Sequence, residues 1–174
     1  MFKIHVTFIL IVSGLLSACG SDSDRPEATT PVNLNTTINT VSIVGTSAAI
    51  NNIIPINSGM NGGAFSIAWD VDSSDPYHVD LYLSEDNALG DDVTFFSQNC
   101  GSTTLIYHCS AIATFECRFT SSNKISCGTI SAFNTEKDLT SFLDTLPKQA
   151  FLIIEACNAL MDNCKSTSVA IELQ

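Results

Sequence analysis

The chain has 174 residues, of which 45% are hydrophobic and only 14% charged, and a formal net charge of −11. That length holds one domain and a tail. Without Lys3 the balance is six basic against eighteen acidic groups, so nucleic acid is excluded as a partner and anionic headgroups are repelled, because Lys or Arg must supply the phosphate contacts. Low charge with abundant Ser, Thr and Asn suits a β-rich extracytoplasmic domain.

The amino terminus carries one positive charge, Lys3, followed by the apolar run Val6–Leu16. That run is shorter than the roughly 20 residues needed to cross a bilayer and has the length of a signal h-region. It ends in Leu16-Ser17-Ala18-Cys19, which resembles the bacterial lipobox. The resemblance implies cleavage after Ala18, a diacylglyceryl group on the Cys19 thiol, and often acylation of the new amino group. Two chains hold a protein stably on a membrane. Gly20 follows the cysteine; with no aspartate there, the family rules point to the outer membrane. Residues 1–18 are thus expected to be a signal peptide. Residues 19–38, with two prolines and no apolar periodicity, read as the lipidated cysteine and a tether of about 25 Å average span. Residues 39–174 are the domain.

Within it, Asn39–Gly45 reads as a first strand and Ser47–Pro55 as a weaker second, followed by a turn at Ser58–Gly63. Phe65, Ile67, Trp69 and Val71 alternate with polar or small residues, the pattern of a half-buried strand. Asp72–Pro76 breaks it, and Tyr77, Val79, Leu81 and Leu83 then alternate with His78, Asp80, Tyr82 and Ser84. Val93–Ser97 and Thr103–Tyr107 are further candidates. Asn134–Leu146 carries the one helical signal: Thr135 as N-cap, Leu139, Phe142, Leu143 and Leu146 at helical spacing, and Pro147 as the stop. Ala150–Cys157 and Lys165–Leu173 close the chain as strands.

Setting Cys19 aside leaves Cys100, Cys109, Cys117, Cys127, Cys157 and Cys164, an even count that reads as three disulfides in an exported chain. Fifteen connectivities exist, but local register favours one. A hairpin folded about Ser122 sets Phe119 opposite Ile125 and Cys117 opposite Cys127. Cys157 and Cys164 flank a six-residue loop whose base they close. Cys100–Cys109 follows by elimination. No C-x-x-C occurs and the spacings are irregular for structural zinc.

Many short strands with regular turns indicate an all-β antiparallel sandwich with an extra disulfide-bonded hairpin region and one short helix. Phe65–Trp69 followed by Tyr77–Tyr82 resembles strands B and C of a fibronectin type III or related immunoglobulin-like domain. Leu146-Pro147, then Phe151–Cys157 and a final alternating strand, resemble its E–F corner and strands F and G. Phe151 stands where that family usually has a tyrosine, so the corner hydroxyl bond is missing.

Chemistry-bearing motifs are sparse. The loops holding Asp70, Asp72 and Asp75, and Glu85, Asp86, Asp91 and Asp92, flank strands B and C and could converge at one end around calcium. Leu81, however, stands where an EF-hand needs its bidentate glutamate, and Asp in turns is ordinary turn chemistry. No G-x-S-x-G elbow exists, only His78 and His108 remain after the signal peptide, and Ser58–Gly63 lacks the ending of a phosphate loop. Neither an enzyme, a metal site nor a cofactor is expected. Trp69 shares its face with Phe65 and Ile67 and belongs in the core, whereas Tyr82 and His78 share the opposite face. The expected function is a lipid-anchored, non-enzymatic module that binds an envelope or surface protein. The alternative is carbohydrate or peptidoglycan binding through exposed aromatics such as Tyr82.

Overall fold

Alternation decides the layout. Along Ala64–Ser73 and Tyr77–Ser84, odd-numbered apolar residues bury and the even-numbered positions between them point away from the core, because side chains in a strand alternate between faces. A computed structural model describes residues 36–73, 76–90, 92–100, 112–129, 132–133 and 136–174. The expected signal peptide, Cys19, most of the tether, the candidate strand Thr103–Tyr107, His108 and Cys109 lie outside them.

The strands are β1 (Thr36–Val44), β2 (Ile54–Ile56), β3 (Ala64–Ser73), β4 (Tyr77–Ser84), β5 (Val93–Cys100) and β6 (Ile112–Thr120). They continue as β7 (Lys124–Thr129), β8 (Ala132–Phe133), β9 (Lys137–Asp138), β10 (Lys148–Asn158) and β11 (Cys164–Leu173). One sheet has the order β1-β3-β6-β7-β8, with β9 also on β7; the other has the order β2-β11-β10-β4-β5. All pairs are antiparallel except β2 with β11. The fold is therefore an all-β sandwich. Its core joins residues of both sheets, among them Ile67, Trp69, Leu81, Phe96, Phe119, Leu152 and Ile171. Trp69 stacks on Phe115 at 4.8 Å and meets the ring of Phe96 edge-on at 6.1 Å; Phe96 in turn meets Phe115 at 4.9 Å. These three rings, from β3, β6 and β5, tie one sheet to the other with favoured aromatic geometries.

The hairpin register inferred from sequence is the one observed. Cys117 pairs with Cys127 and Phe119 with Ile125 across β6 and β7. The Cys117–Cys127 disulfide spans that pair, and Cys157–Cys164 spans the last pair of β10 and β11. The three-residue turn between β6 and β7 ends on Asn123 at φ 59°, with its N–H bonded to the Thr120 carbonyl, a common hairpin solution that Asn tolerates. Cys100 is also disulfide-bonded; Cys109, the partner expected for it, is outside the described residues.

The predicted helix over 134–146 does not form among the residues described there. Lys137 and Asp138 instead pair with Ile125 and Lys124 as β9, and the Leu139 N–H bonds to the Asn123 carbonyl. A single turn follows, in which the Phe142 and Leu143 N–H groups both reach the Leu139 carbonyl. Leu139 and Leu143 are buried, while Leu146 is exposed. One turn suffices to bury the two leucines against the sandwich, and the pairing with β7 consumes the backbone that would have nucleated a longer helix. The weak second strand is shorter than expected. Ile50 and Ile53 bridge across a tight turn with Asn51 and Asn52 both at positive φ, and β2 begins only at Ile54.

Two positions test the packing. Gly63 has φ +77°, and an added Cβ would lie 1.7 Å from the Phe119 carbonyl oxygen. Gly63→Ala is expected to cost about 3 kcal/mol, from left-handed strain plus overpacking, read as a lowered denaturation midpoint. The hydroxyl of Tyr77 is buried with no hydrogen-bond partner among the described residues. Burial pushes its pKa up; the Trp69 indole N–H lies near enough to oppose the rise without meeting hydrogen-bond geometry. Tyr77→Phe removes that unsatisfied group and should raise stability by about 1 kcal/mol, measured by the same denaturation.

Candidate functional site

The outward face of the β11-β10-β4-β5 sheet carries the most organised polar chemistry among the described residues. Three rows cross it. Asn99 on β5, His78 on β4 and Cys157 on β10 form the first; Ser97, Asp80 and Glu155 the second; Thr94, Tyr82 and Ile153 the third. An extra residue in β5 between the partners of Leu81 and Tyr82 keeps the third row in place. This bulge lets Phe95 and Phe96 both bury while returning Thr94 to the outer face.

His78 is held from three sides. Its Nδ1 is 2.8 Å from Asn99 Oδ1, and its Nε2 is 3.0 Å from Ser97 Oγ and 3.2 Å from Asp80 Oδ1. Beside it, the Tyr82 hydroxyl donates to Glu155 Oε2 at 3.0 Å. Burial raises the Tyr82 pKa far above the ordinary tyrosine range, and the negative charges of Asp80 and Glu155 push it further. The tyrosine therefore stays protonated and serves as a donor.

The Ser97–His78–Asp80 grouping is not a nucleophile triad. A triad needs the carboxylate on Nδ1 and the serine on Nε2. Here carboxylate and hydroxyl share Nε2, and Nδ1 faces an amide. The imidazole is fixed as a surface group, and Ser97 has no separately oriented base. Glu155, Cys157 and Cys164 place ligand atoms within 4.8 Å of one another, but the two sulfurs are bonded to each other, so no thiolate is offered to a metal.

The acidic loops do not converge. The loop after Ser73 leads into the start of β4 and the loop from Glu85 leaves its end, so the length of that strand, about 23 Å, separates them. Asp75 and Asp91 lie outside the described residues. In the second loop Asp86 accepts the Ala88 N–H, Asp92 accepts the Gly90 N–H, and Glu85 pairs with Lys148 at 2.7 Å. This is ordinary turn chemistry, beside a cleft of about 470 Å³ that Phe142 and Ser141 also line.

Sequence reading put Tyr82 and His78 on one face, and the structure does so. Nothing local in the sequence singles out Asp80, Ser97, Asn99 and Glu155 as their partners. The alternation His78, Asp80, Tyr82 was available as a signal; the bulge that aligns β5 with it was not. Trp69 is 1% exposed, in the core as expected. No protein-family model matches this chain, and neither a curated protein nor a solved structure does.

Removing one charge next to Tyr82 tests this geometry. Glu155→Gln should lower the Tyr82 pKa, because one of the carboxylates disfavouring the phenolate is gone. An alkaline absorbance titration of the variant against the parent chain reads the change, and an unmoved or raised value would contradict the contact.

Proposed function

We propose that this is a lipid-anchored cell-envelope protein, held in the outer membrane through Cys19, whose sandwich binds an envelope or surface protein without catalysis. The observation that carries the binding reading is the fixed cluster of His78, Asp80, Ser97 and Asn99 with the Tyr82–Glu155 pair beside it. Polar side chains already held in place lose little freedom on binding, which favours specific recognition. Tyrosine is also among the residues that dominate binding energy at protein interfaces. The lipobox resemblance of Leu16–Cys19 supports the anchor. An immunoglobulin-like reading of the domain draws support from β1 beside β3 in one sheet and β11-β10-β4 in the other. It meets one departure: in the order ABED the inner strand next to B follows the edge strand in the chain, whereas here β6 precedes β7 and is the inner one.

Crosslinking in intact cells with a carboxy-terminal tag tests the proposal. A dominant envelope protein should co-purify, and its yield should fall at least about tenfold with Tyr82→Ala and disappear when Cys19→Ser removes the anchor. A second reading rests on Tyr82 beside two carboxylates, Asp80 and Glu155, a grouping able to stack on a sugar ring and bond its hydroxyls. Retention of sacculus or glycan fragments in place of a protein, lost with Tyr82→Ala, would replace the first reading by the second.

A further inference from the structure

At the far rim of the same sheet, Asn158–Asn163 joins β10 to β11 above the Cys157–Cys164 disulfide. Several of its polar groups bond to one another, although Asp162 itself is exposed. The Asn158 side chain is buried; its Nδ2 donates to Asp162 Oδ1 at 2.6 Å, and its Oδ1 accepts the N–H groups of Asp162 and Asn163. The backbone N–H of Met161 bonds to the Asn158 carbonyl, and that of Asn158 to the Asn163 carbonyl. Met161 sits at φ 59°, a conformation that costs a non-glycine residue free energy. The apolar side chains turn outward. Leu160 is 70% exposed and Met161 53%, the one adjacent pair among the large exposed hydrophobics described. A cross-linked loop that bonds the backbone N–H groups of Asn158, Met161, Asp162 and Asn163 internally and presents two bare apolar side chains suits a water-poor interface.

The fold also says which way this tip faces. Thr36, where the described chain joins the sandwich, pairs with Ser73 at the end of β3; Tyr77, at the start of β4, pairs with Asn158 at the end of β10. The Leu160–Met161 tip and the amino-terminal attachment are therefore at one end of the sandwich. Gln174, after β11, is at the other.

We infer that Leu160 and Met161 dip into the lipid interface of the membrane that carries the Cys19 anchor and so set the sandwich upright on it, an inference that rests on the anchored reading above. The excess of acidic groups leaves little attraction to anionic headgroups, so apolar insertion supplies the contact and added salt should not release it.

The test uses the full chain expressed in bacteria, purified with its lipid and placed in phosphatidylethanolamine–phosphatidylglycerol vesicles. Met161→Trp places an indole at the tip, and Trp69, sealed in the core, gives a constant background in the parent chain. The introduced indole should emit to the blue of the same variant carrying Cys19→Ser in buffer. Brominated acyl chains should quench it at least about twofold, with no change at high salt. An acylated chain that floats with the vesicles while its tip indole stays red and unquenched overturns the docking and leaves the anchor standing. So does an indole shielded only in intact envelopes, which would mean that a protein covers the tip. A chain without the acyl mass that stays soluble overturns the anchor, and the docking with it.

Discussion

Trp69 has to be covered from both sides, and much of the sandwich follows from how that is done. The largest side chain in the core lies on β3, stacked on Phe115 of β6 and met edge-on by Phe96 of β5. The stack requires β6 in a register that sets Phe115 opposite Ile67, next to the indole. A slip of one residue would turn Phe115, Cys117 and Phe119 to solvent together. With β6 held, Cys117 can meet only the residue opposite on β7, which is Cys127. The core disulfide is thus a consequence of aromatic packing as much as a staple for it.

The bridges serve the two hairpins differently. Cys117–Cys127 is buried in the core. Cys157–Cys164 sits at the rim, where it closes the Leu160–Met161 loop and braces the row that contains His78. In the chain-entropy account, loops this short give each bridge about 2.5 kcal/mol. That matters to a domain whose surface is rich in small polar residues. The rim bridge also fixes the geometry of side chains that have no core packing to hold them.

The outer sheet face shows what alternation leaves over once the core is satisfied. Val79, Leu81 and Leu83 fill the interior, so His78, Asp80 and Tyr82 must face out. There they are not loose. Asn99 and Ser97 across the ladder hold His78, His78 in turn meets Asp80, and Glu155 on the other side accepts from Tyr82. A Ser–His–Asp grouping on a sheet is easily mistaken for a catalytic one. The sharing of Nε2 separates it from a triad, and the tyrosine beside it, held protonated, donates to Glu155.

Local sequence determined a good deal here. Period-two alternation placed β3, β4, β10 and β11, and the hairpin register follows from counting residues either side of Ser122, because strand pairing across a short turn is a local matter. The class of fold follows from the number and spacing of such strands. Tertiary structure decided the rest. The leucines of 139–146 fit a helix by spacing, yet Leu139 and Leu143 are buried through one turn and a pairing with β7 that lies outside any local window. The bulge at Phe95–Phe96 sets which residues of β5 face His78, and the length of β4 parts the acidic loops. Only the pairing of Thr36 with Ser73 and of Tyr77 with Asn158 puts the Leu160–Met161 tip at the end where the chain joins the sandwich. The physical reason is the same in each case. Alternation and turn chemistry are local and written in the sequence, whereas burial and cross-strand partnership depend on which distant segments compete for the same backbone and the same core.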